Sequence, residues 1–169
     1  MSIDEPITLE PYNPLWPVYY EAEAPLILQA LGPLVKAIEP FGSTAIPGML
    51  AKPIIDILVG VKILKLSPIQ LQALAKIGYE YLGEAGIPGR LYLRKRNFKN
   101  FNLAIVEYQG TLWHNNLKIR DYLRHHPTAA KRYANYKQML IKKGFNRLLT
   151  YSAQKQSFLN AILAKAVKV

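Results

Sequence analysis

The sequence predicts an α+β fold in which a mixed β-sheet lies between helices that precede and follow it. Residues 54–59 form the most apolar segment of the chain and are typical of a central strand buried on both faces of a sheet. Between residues 79 and 107, three short strand-like segments are separated by glycine-rich or basic turns, which favours an antiparallel extension of that sheet. From Trp113 onward the apolar residues recur with helical spacing, so the chain is expected to end in a helical part.

Capping residues and turn residues predict the elements before the central strand. Asn13 is a favourable N-cap and Pro14 suits the first helical position. A helix is therefore expected from there to Gly32, with a kink at Pro25. A short strand over residues 37–41 follows it.

The elements after the central strand follow from the same signals. Ser67 and Pro68 predict the start of a helix that runs through Ile77. The later strand candidates are residues 79–82, 91–94 and 101–107, and the later helices are residues 114–125, 127–143 and 152–166. No repeat, low-complexity tract or linker interrupts the sequence, so we predict a single domain over residues 1–169.

Charge is distributed unevenly along this basic chain, whose formal net charge is +11. Residues 1–39 contain six acids and one base, whereas residues 40–169 contain 21 bases and five acids. This positive excess favours a polyanionic partner such as a nucleotide, a coenzyme or a nucleic acid. The carboxylates that remain for a metal site after residue 40 are Asp56, Glu80, Glu84, Glu107 and Asp121.

Several classes of protein are not expected from this sequence. The chain has no cysteine, which excludes disulfides and thiolate metal sites and favours a reducing, cytoplasmic location. The sequence has neither an apolar run long enough to cross a bilayer nor the pattern of a signal peptide, so no association with a membrane is expected. The three histidines lack metal-binding spacing, and the sequence contains neither a P-loop nor a G-x-S-x-G elbow.

The main candidate site combines a glycine turn with an acid in the central strand. Gly42-Ser43-Thr44 can offer backbone N–H groups and a hydroxyl to a phosphate. Asp56 lies in the apolar strand, where an ionised carboxylate needs a cation or donors, so it is a candidate Mg²⁺ ligand. The alternative is a structural acid held by N–H groups or by an arginine. Nucleotidyltransferases normally carry a second carboxylate two residues later on the same face, where this chain has Leu58.

Four basic residues could neutralise a bound phosphate. Lys52 and Arg90 each follow an Ile-Pro-Gly turn, and two rigid turns could hold both cations over one pocket. The alternative is that both are ordinary surface charges. Arg120 and Arg124 lie one helical turn apart and form a fork suited to phosphates or carboxylates. For this pair, the alternative is a salt bridge from Asp121 on a solvated helix face.

Five motifs, in order along the chain, closely resemble those of the GrpB family. They are Gly42-Ser43-Thr44-Ala45-Ile46-Pro47-Gly48, Ala51-Lys52-Pro53-Ile54-Ile55-Asp56-Ile57, Gly78-Tyr79, Gly83-Glu84-Ala85-Gly86-Ile87-Pro88-Gly89-Arg90, and Arg120-Asp121-Tyr122-Leu123-Arg124 followed by Pro127. The resemblance runs from about Tyr12 to the last helix. It implies a nucleotidyltransferase-like fold and a bacterial cytoplasmic protein without a settled biochemical activity. Some members are fused to dephospho-coenzyme A kinase, which suggests nucleotide or coenzyme metabolism.

The chain departs from the pattern of the GrpB family at two positions that bear on chemistry. Where relatives resemble Asn-Leu-His-Val, this chain has Asn102-Leu103-Ala104-Ile105, so alanine replaces the histidine. The phenylalanine that commonly precedes the Arg-Asp-Tyr-Leu-Arg motif is Ile119. This chain therefore has alanine in place of the histidine and Leu58 in place of a second carboxylate. Both changes weaken the expectation of catalysis more than the expectation of the fold.

The motifs and the resemblance favour a protein that binds a nucleotide or a phosphorylated cofactor. Ser43 and the N–H groups after it would hold phosphate, with Lys52 and Arg90 neutralising its charge. Asp56 would bind Mg²⁺, with Glu84 as the best second ligand, and the metal could then support nucleotidyl transfer. The alternatives are a non-catalytic nucleotide-binding, coenzyme A-binding or regulatory module, and a nucleic-acid-binding domain.

Overall fold

The computed structural model describes residues 2–168, and within them a five-stranded mixed sheet is combined with five α-helices, which confirms the predicted α+β class. The strands are β1 (Val35–Phe41), β2 (Ile55–Val61), β3 (Glu80–Tyr81), β4 (Arg90–Arg96) and β5 (Asn100–Glu107). The helices are α1 (Trp16–Leu31), α2 (Pro68–Lys76), α3 (Thr111–His125), α4 (Pro127–Lys142) and α5 (Leu148–Ala166). Two short 3-10 turns, Gly32–Leu34 and Ser43–Ala45, lie on either side of β1.

The sheet has the strand order β1-β2-β5-β4-β3. β2 and β5 pair in parallel, and each of the other neighbouring pairs is antiparallel. The three later strands are antiparallel to one another, as predicted, but β5 joins the central strand β2 in parallel. The parallel pairing brings Asp56 opposite Asn102 and Leu58 opposite Ala104.

The side chains of β2 alternate between two apolar clusters. The odd-numbered residues from 55 to 61 pack with α1 and α2 on one face of the sheet. On the other face, Leu58 packs with Trp113 of α3. All of these residues are buried, which confirms the expected burial of this strand on both faces. Asp56 has the same parity as Leu58 and therefore faces the side of the C-terminal helices.

The helix α1 begins two residues later than its capping signal suggests. The side-chain oxygen of Asn13 accepts the N–H of Leu15 at 2.9 Å, and its carbonyl accepts the N–H of Trp16 at 3.0 Å. Asn13 thus closes a turn over Pro14 and Leu15, and the helix starts after that turn. It then continues through Pro25 to Leu31.

The last helix, α5, starts at Leu148, four residues earlier than the local pattern predicts. The segment before α1 causes this difference. The carbonyl of Glu5 accepts the N–H of Leu148 at 2.9 Å, and a carboxylate oxygen of Asp4 accepts the N–H of Leu149 at 3.0 Å. Asp4 also pairs with Arg147 at 2.8 Å, so an acid from the other end of the chain caps this helix.

Candidate functional site

A pocket of about 510 Å³ lies between the sheet and the C-terminal helices. Its sheet side includes Asp56, Tyr92 and Asn102, and its helical side includes Arg120, Lys137 and Lys155. The pocket is also lined by the turn predicted to bind phosphate, Gly42-Ser43-Thr44. Lys52 and Arg90, the two basic residues predicted to neutralise the phosphate, line it as well. The structure thus brings most of the predicted site residues to one cavity.

The turn at Gly42 approaches the Asp56 carboxylate closely. Gly42 has a φ of 70°, and a Cβ atom at this position would lie 2.6 Å from Oδ2 of Asp56, so only glycine fits here. The 3-10 turn that follows begins with Ser43 and Thr44. Their N–H groups precede the first hydrogen-bonded residue of the turn and have no carbonyl within it to donate to. Two backbone donors of residues that line the pocket thus have no partner within the turn.

The orientation of Asp56 is fixed by a chain of hydrogen bonds on β5 and β4. The side-chain amide of Asn102 donates to Oδ1 of Asp56 at 2.8 Å. The amide oxygen of Asn102 accepts from the hydroxyl of Tyr92 and from the guanidinium of Arg96, both at 2.8 Å, which determines the amide orientation. Burial raises the pKa of Tyr92 to about 12, so its phenol stays a donor at neutral pH. Glu5 accepts from Arg96 at 2.7 Å and ends the chain.

Two lysines that the sequence interpretation did not include lie in this pocket. Lys137 of α4 is 1% exposed, and its ammonium nitrogen is 3.0 Å from Oγ of Ser43. The same nitrogen donates to the carbonyl of Leu50 and lies 4.7 Å from the centroid of the Tyr133 ring. Lys155 of α5 is partly exposed, and its nitrogen lies 4.6 Å from the centroid of the Tyr151 ring. Lys137 of α4 thus contacts the turn at Ser43, and Lys155 of α5 lines the same pocket.

Burial is the main reason why these two lysines hold their protons weakly. Burial, followed by repulsion from Lys155 and Lys52, lowers the pKa of Lys137 to about 6. Burial, followed by repulsion from Lys52, lowers the pKa of Lys155 to about 7. Asp56 acts in the opposite direction on both groups but does not compensate. The three lysines are thus close enough to oppose each other's charge.

The charges that line the pocket do not balance. Asp56 is the one carboxylate among the described residues that line the cavity, against five basic side chains. Within residues 2–168, the ammonium groups of Lys52, Lys137 and Lys155 have no carboxylate oxygen within 4.0 Å. A pocket with this excess of positive charge suits an anion that carries several negative charges.

Arg90 has fewer free donors than the sequence interpretation assumed. Its guanidinium donates to the carbonyls of Glu84 at 3.1 Å and Ala85 at 2.9 Å, and it lies 4.7 Å from the centroid of the Tyr92 ring. Burial lowers the pKa of Arg90. Its main contacts therefore hold the loop before β4 against the sheet, while one side of the group still lines the pocket.

The predicted metal ligands are not assembled in the described part of the chain. Glu84 is not among the residues that line the pocket, and its carboxylate accepts the N–H of Gly89 at 3.0 Å within the loop. No group of three or more histidine, aspartate or glutamate side chains within residues 2–168 is placed to hold a metal ion. Asp56 alone faces the cavity, with one oxygen bonded to Asn102. The joint role of Asp56 and Glu84 in metal binding stays a prediction.

Arg120 lines the pocket but already has acidic partners. It donates to Glu39 at 2.7 Å, to the carbonyl of Pro40 at 2.8 Å and to Asp121 at 2.8 Å. These contacts tie α3 to the end of β1, so much of its charge is neutralised within the protein. Arg124 is exposed, donates to the carbonyl of Ala45 at 2.8 Å and is not among the lining residues. The two arginines do not form one fork toward the cavity.

Comparison with known proteins identifies the family. The model of the GrpB family, described as GrpB protein, matches residues 6–165. The chain belongs to the GrpB family. The glutamate-rich protein GrpB of Alkalihalophilus pseudofirmus is 36% identical to it over 163 residues, which cover 93% of this chain and 94% of that protein. The protein YqkA of Bacillus subtilis is 37% identical over 130 residues, which cover 76% of this chain and 38% of YqkA.

Solved structures agree with the GrpB assignment. The crystal structure of the conserved protein GrpB from Enterococcus faecalis has a TM-score of 0.85 at 34% identity, covering 95% of this chain and 98% of that one. A distant similarity links the chain to the Cid1 poly(U) polymerase, with a TM-score of 0.45 at 18% identity over 80% of this chain and 45% of that one. The Cid1 match therefore covers part of the fold. No helix within residues 2–168 is long and apolar enough to span a membrane.

The position expected for a second carboxylate and the position where alanine replaces the family's histidine are neighbours in space. Leu58 of β2 and Ala104 of β5 are direct partners in the parallel register. Both are buried, and both pack in a cluster with Trp113 of α3. Leu58 is 0% exposed, so the place of a second carboxylate is filled by the apolar core rather than open to the pocket. An apolar cluster beside α3 therefore occupies both positions.

Replacing Arg120 in the GrpB-family protein with methionine is expected to lower stability. The change removes a guanidinium that is 9% exposed from two carboxylates and a carbonyl. Because Glu39 and Asp121 remain partly solvated, we expect a loss of about 1–3 kcal/mol in the free energy of unfolding, measured by urea denaturation. Arg124→Ala serves as the control and should lose at most about 1 kcal/mol. Equal losses in both variants would contradict a special role of Arg120 in joining α3 to β1.

Proposed function

We propose that this GrpB-family protein binds a nucleotide or another phosphorylated small molecule in the pocket at Ser43. In this proposal, the N–H groups and hydroxyl of the Ser43 turn hold phosphate oxygens, and Lys52, Lys137 and Lys155 neutralise their charge. One observation carries the proposal. Lys137 is 1% exposed, contacts Ser43 at 3.0 Å and has no carboxylate partner within residues 2–168.

The energetics of the pocket support an anionic ligand. An ammonium group is costly to bury unless an opposite charge or sufficient hydrogen bonds meet it. Lys137 and Lys155 have no carboxylate partner within residues 2–168, and burial and repulsion from neighbouring lysines lower the pKa of both. A bound phosphate would supply the missing negative charge. This unfavourable burial of basic groups is therefore consistent with a binding site rather than a structural core.

The rest of the cavity fits an organic group attached to the phosphates. Apolar side chains line part of the wall, among them Ile46, Ile54, Ile87, Leu123 and Leu159. Ligand pockets of about 300–1,000 Å³ commonly combine such apolar walls with a few fixed polar groups. The cavity of about 510 Å³ lies within that range. Because the distinctive polar groups are donors and cations, we expect phosphate contacts rather than base contacts to dominate affinity.

Magnesium-dependent nucleotidyl transfer is a second candidate, and one observation favours it. Asp56 faces the cavity beside the phosphate-binding turn, where a carboxylate could share a cation with substrate oxygens. The residues present do not fit a preformed Mg²⁺ site, since position 58 is an apolar core residue and Glu84 bonds within its own loop. Binding is therefore the function that these residues support best. A regulatory role without catalysis would require the same phosphate contacts.

The proposal is tested by calorimetric titration with several nucleoside triphosphates, coenzyme A and tripolyphosphate at pH 6.5, with and without Mg²⁺. Ser43→Ala, Lys52→Ala and Lys137→Met should each weaken binding of the different nucleotides alike, by about tenfold or more for each charge-assisted hydrogen bond that the substitution removes. Lys62→Ala removes an exposed lysine outside the pocket and should leave affinity unchanged. Undiminished binding in the Ser43 and Lys52 variants would overturn this location of the site. If none of these ligands binds, the proposed function is wrong.

A further inference from the structure

The last part of the sequence has an unusual charge composition. After Asp121, residues 122–169 contain no acid and ten bases. The bases are Arg124, Lys131, Arg132, Lys137, Lys142, Lys143, Arg147, Lys155, Lys165 and Lys168. Neither the pocket nor internal ion pairs account for most of them. Lys137 and Lys155 line the cavity, and Arg147 pairs with Asp4.

Four of the remaining bases lie along one side of α4 and at its C-terminal end. Lys131, Arg132, Lys142 and Lys143 are exposed, and none of them has a carboxylate within 4.0 Å in the part of the chain that the structure describes. Asn135 and Gln138 lie between the two basic pairs and are also exposed. We call these six residues the outer face of α4. The opposite side of the helix carries the buried residues Tyr133, Lys137 and Leu140.

We propose that the outer face of α4 binds the phosphate backbone of a nucleic acid. At about 1.5 Å of rise per residue, the two basic pairs are about 16 Å apart along the helix, so each can meet a different phosphate group. Asn135 and Gln138 between them can donate to phosphate oxygens or sugars. This surface is separate from the pocket residues, and the proposal does not depend on small-molecule binding there.

The composition of the outer face of α4 favours a nucleic acid over a membrane. A helix that lies on a bilayer needs an exposed apolar side, whereas the apolar side of α4 packs in the protein core. Next to the outer face, Met139 is the single large apolar side chain of α4 that is exposed among the described residues, at 37%. Tyr136 stacks on Phe158, with ring centroids 4.9 Å apart, and so is already engaged within the protein. Backbone contacts without base stacking should give little sequence preference and a steep dependence on salt.

The test is fluorescence anisotropy with labelled single-stranded RNA, duplex RNA and duplex DNA. The titrations are done at several KCl concentrations between about 25 and about 200 mM, because affinity that depends on phosphate contacts falls by about tenfold or more over this range. The variant changes Lys131, Arg132, Lys142 and Lys143 to glutamine. The matched control changes Lys36, Lys62, Lys65 and Lys76, four exposed lysines on other elements, to glutamine. We expect wild-type binding to be at least about tenfold tighter than that of the α4 variant. For a duplex, the slope of log affinity against log salt should fall by about 0.9 for each phosphate that the variant no longer neutralises.

Several results would overturn the proposal. The first is an α4 variant with the same affinity and the same salt slope as the wild type. The second is a matched control that loses as much affinity as the α4 variant. The third is a wild-type protein that binds none of the three nucleic acids. Binding to anionic phospholipid vesicles without binding to nucleic acid would also overturn it and assign this surface to a membrane. Lys137→Met and the α4 variant separate the two sites. The α4 variant should keep its affinity for tripolyphosphate, whereas Lys137→Met should keep its affinity for nucleic acid.

Discussion

Replacing Lys137 with methionine is expected to reduce the increase in the free energy of unfolding between pH 7 and pH 9. In the folded protein, burial lowers the pKa of Lys137 to about 6 from an ordinary value of 10.5. Between these two values the unfolded chain binds the extra proton, so the free energy of unfolding increases as pH rises. One such group contributes about 1.4 kcal/mol per pH unit, or about 2.7 kcal/mol between pH 7 and pH 9. Below about pH 6, both states are protonated and this contribution no longer changes.

Urea denaturation at several pH values between 7 and 9 measures this effect. The slope of unfolding free energy against pH should be lower in Lys137→Met than in the wild type by about one proton's contribution. The variant also loses the hydrogen bond to the Leu50 carbonyl, which lowers the free energy of unfolding by the same amount at every pH. The slope against pH therefore still reports the titration of Lys137. Lys131→Met, an exposed lysine on the same helix, should retain the wild-type slope. A wild-type slope in Lys137→Met would mean that Lys137 stays charged in the folded protein.

Replacing Leu58 with aspartate is expected to unfold much of the protein rather than complete a metal site. Leu58 is 0% exposed and packs with Ala104, Val106 and Trp113. Loss of the leucine side chain alone commonly costs about 2–5 kcal/mol, and burial of a carboxyl group adds to it. Because small domains are stable by only about 5–15 kcal/mol, we expect a large fall in melting temperature. Circular dichroism during heating measures the fall.

Leu58→Met is the control for Leu58→Asp because it conserves volume and polarity, and it should cost less than about 1.5 kcal/mol. The contrary result is a Leu58→Asp protein that melts like the wild type and binds Mg²⁺ more tightly. That result would show that position 58 can hold the second carboxylate beside Asp56. It would favour metal-dependent nucleotidyl transfer over simple binding as the proposed function of this pocket.

Local patterns in the sequence predicted the central strand of the sheet and the side of the pocket that contains Gly42 and Asp56. The apolar run around Asp56 determines a strand that is buried on both faces, and the glycine at position 42 marks the close turn beside it. These features depend on neighbouring residues, which is why one sequence is enough to predict them. The helix start predicted at Ser67 and Pro68 is another such feature, and the structure adds a capping box in which Ser67 and Gln70 form both reciprocal bonds.

The remaining features depend on contacts between distant parts of the chain. Lys137 meets Ser43 across 94 positions, and Asp4 caps α5 across 145 positions. No local pattern specifies such pairs. A signal for Lys137 was nevertheless present, because it lies four residues after Tyr133 and three before Leu140, on the buried side of α4. A lysine at that position in an apolar stripe requires a partner, and the sequence interpretation did not use this signal.

Proton uptake on ligand binding tests most directly whether buried lysines form a phosphate site. Calorimetric titration of tripolyphosphate at pH 8, in buffers of different ionisation enthalpy, measures the number of protons taken up. At this pH the lysines with pKa values of about 6 and about 7 are largely neutral, and a bound polyanion should raise both pKa values. We predict uptake of about one to two protons, with weaker binding as the pH increases. Tight binding without proton uptake, or no binding even at pH 6, would contradict a phosphate site built on Lys137 and Lys155.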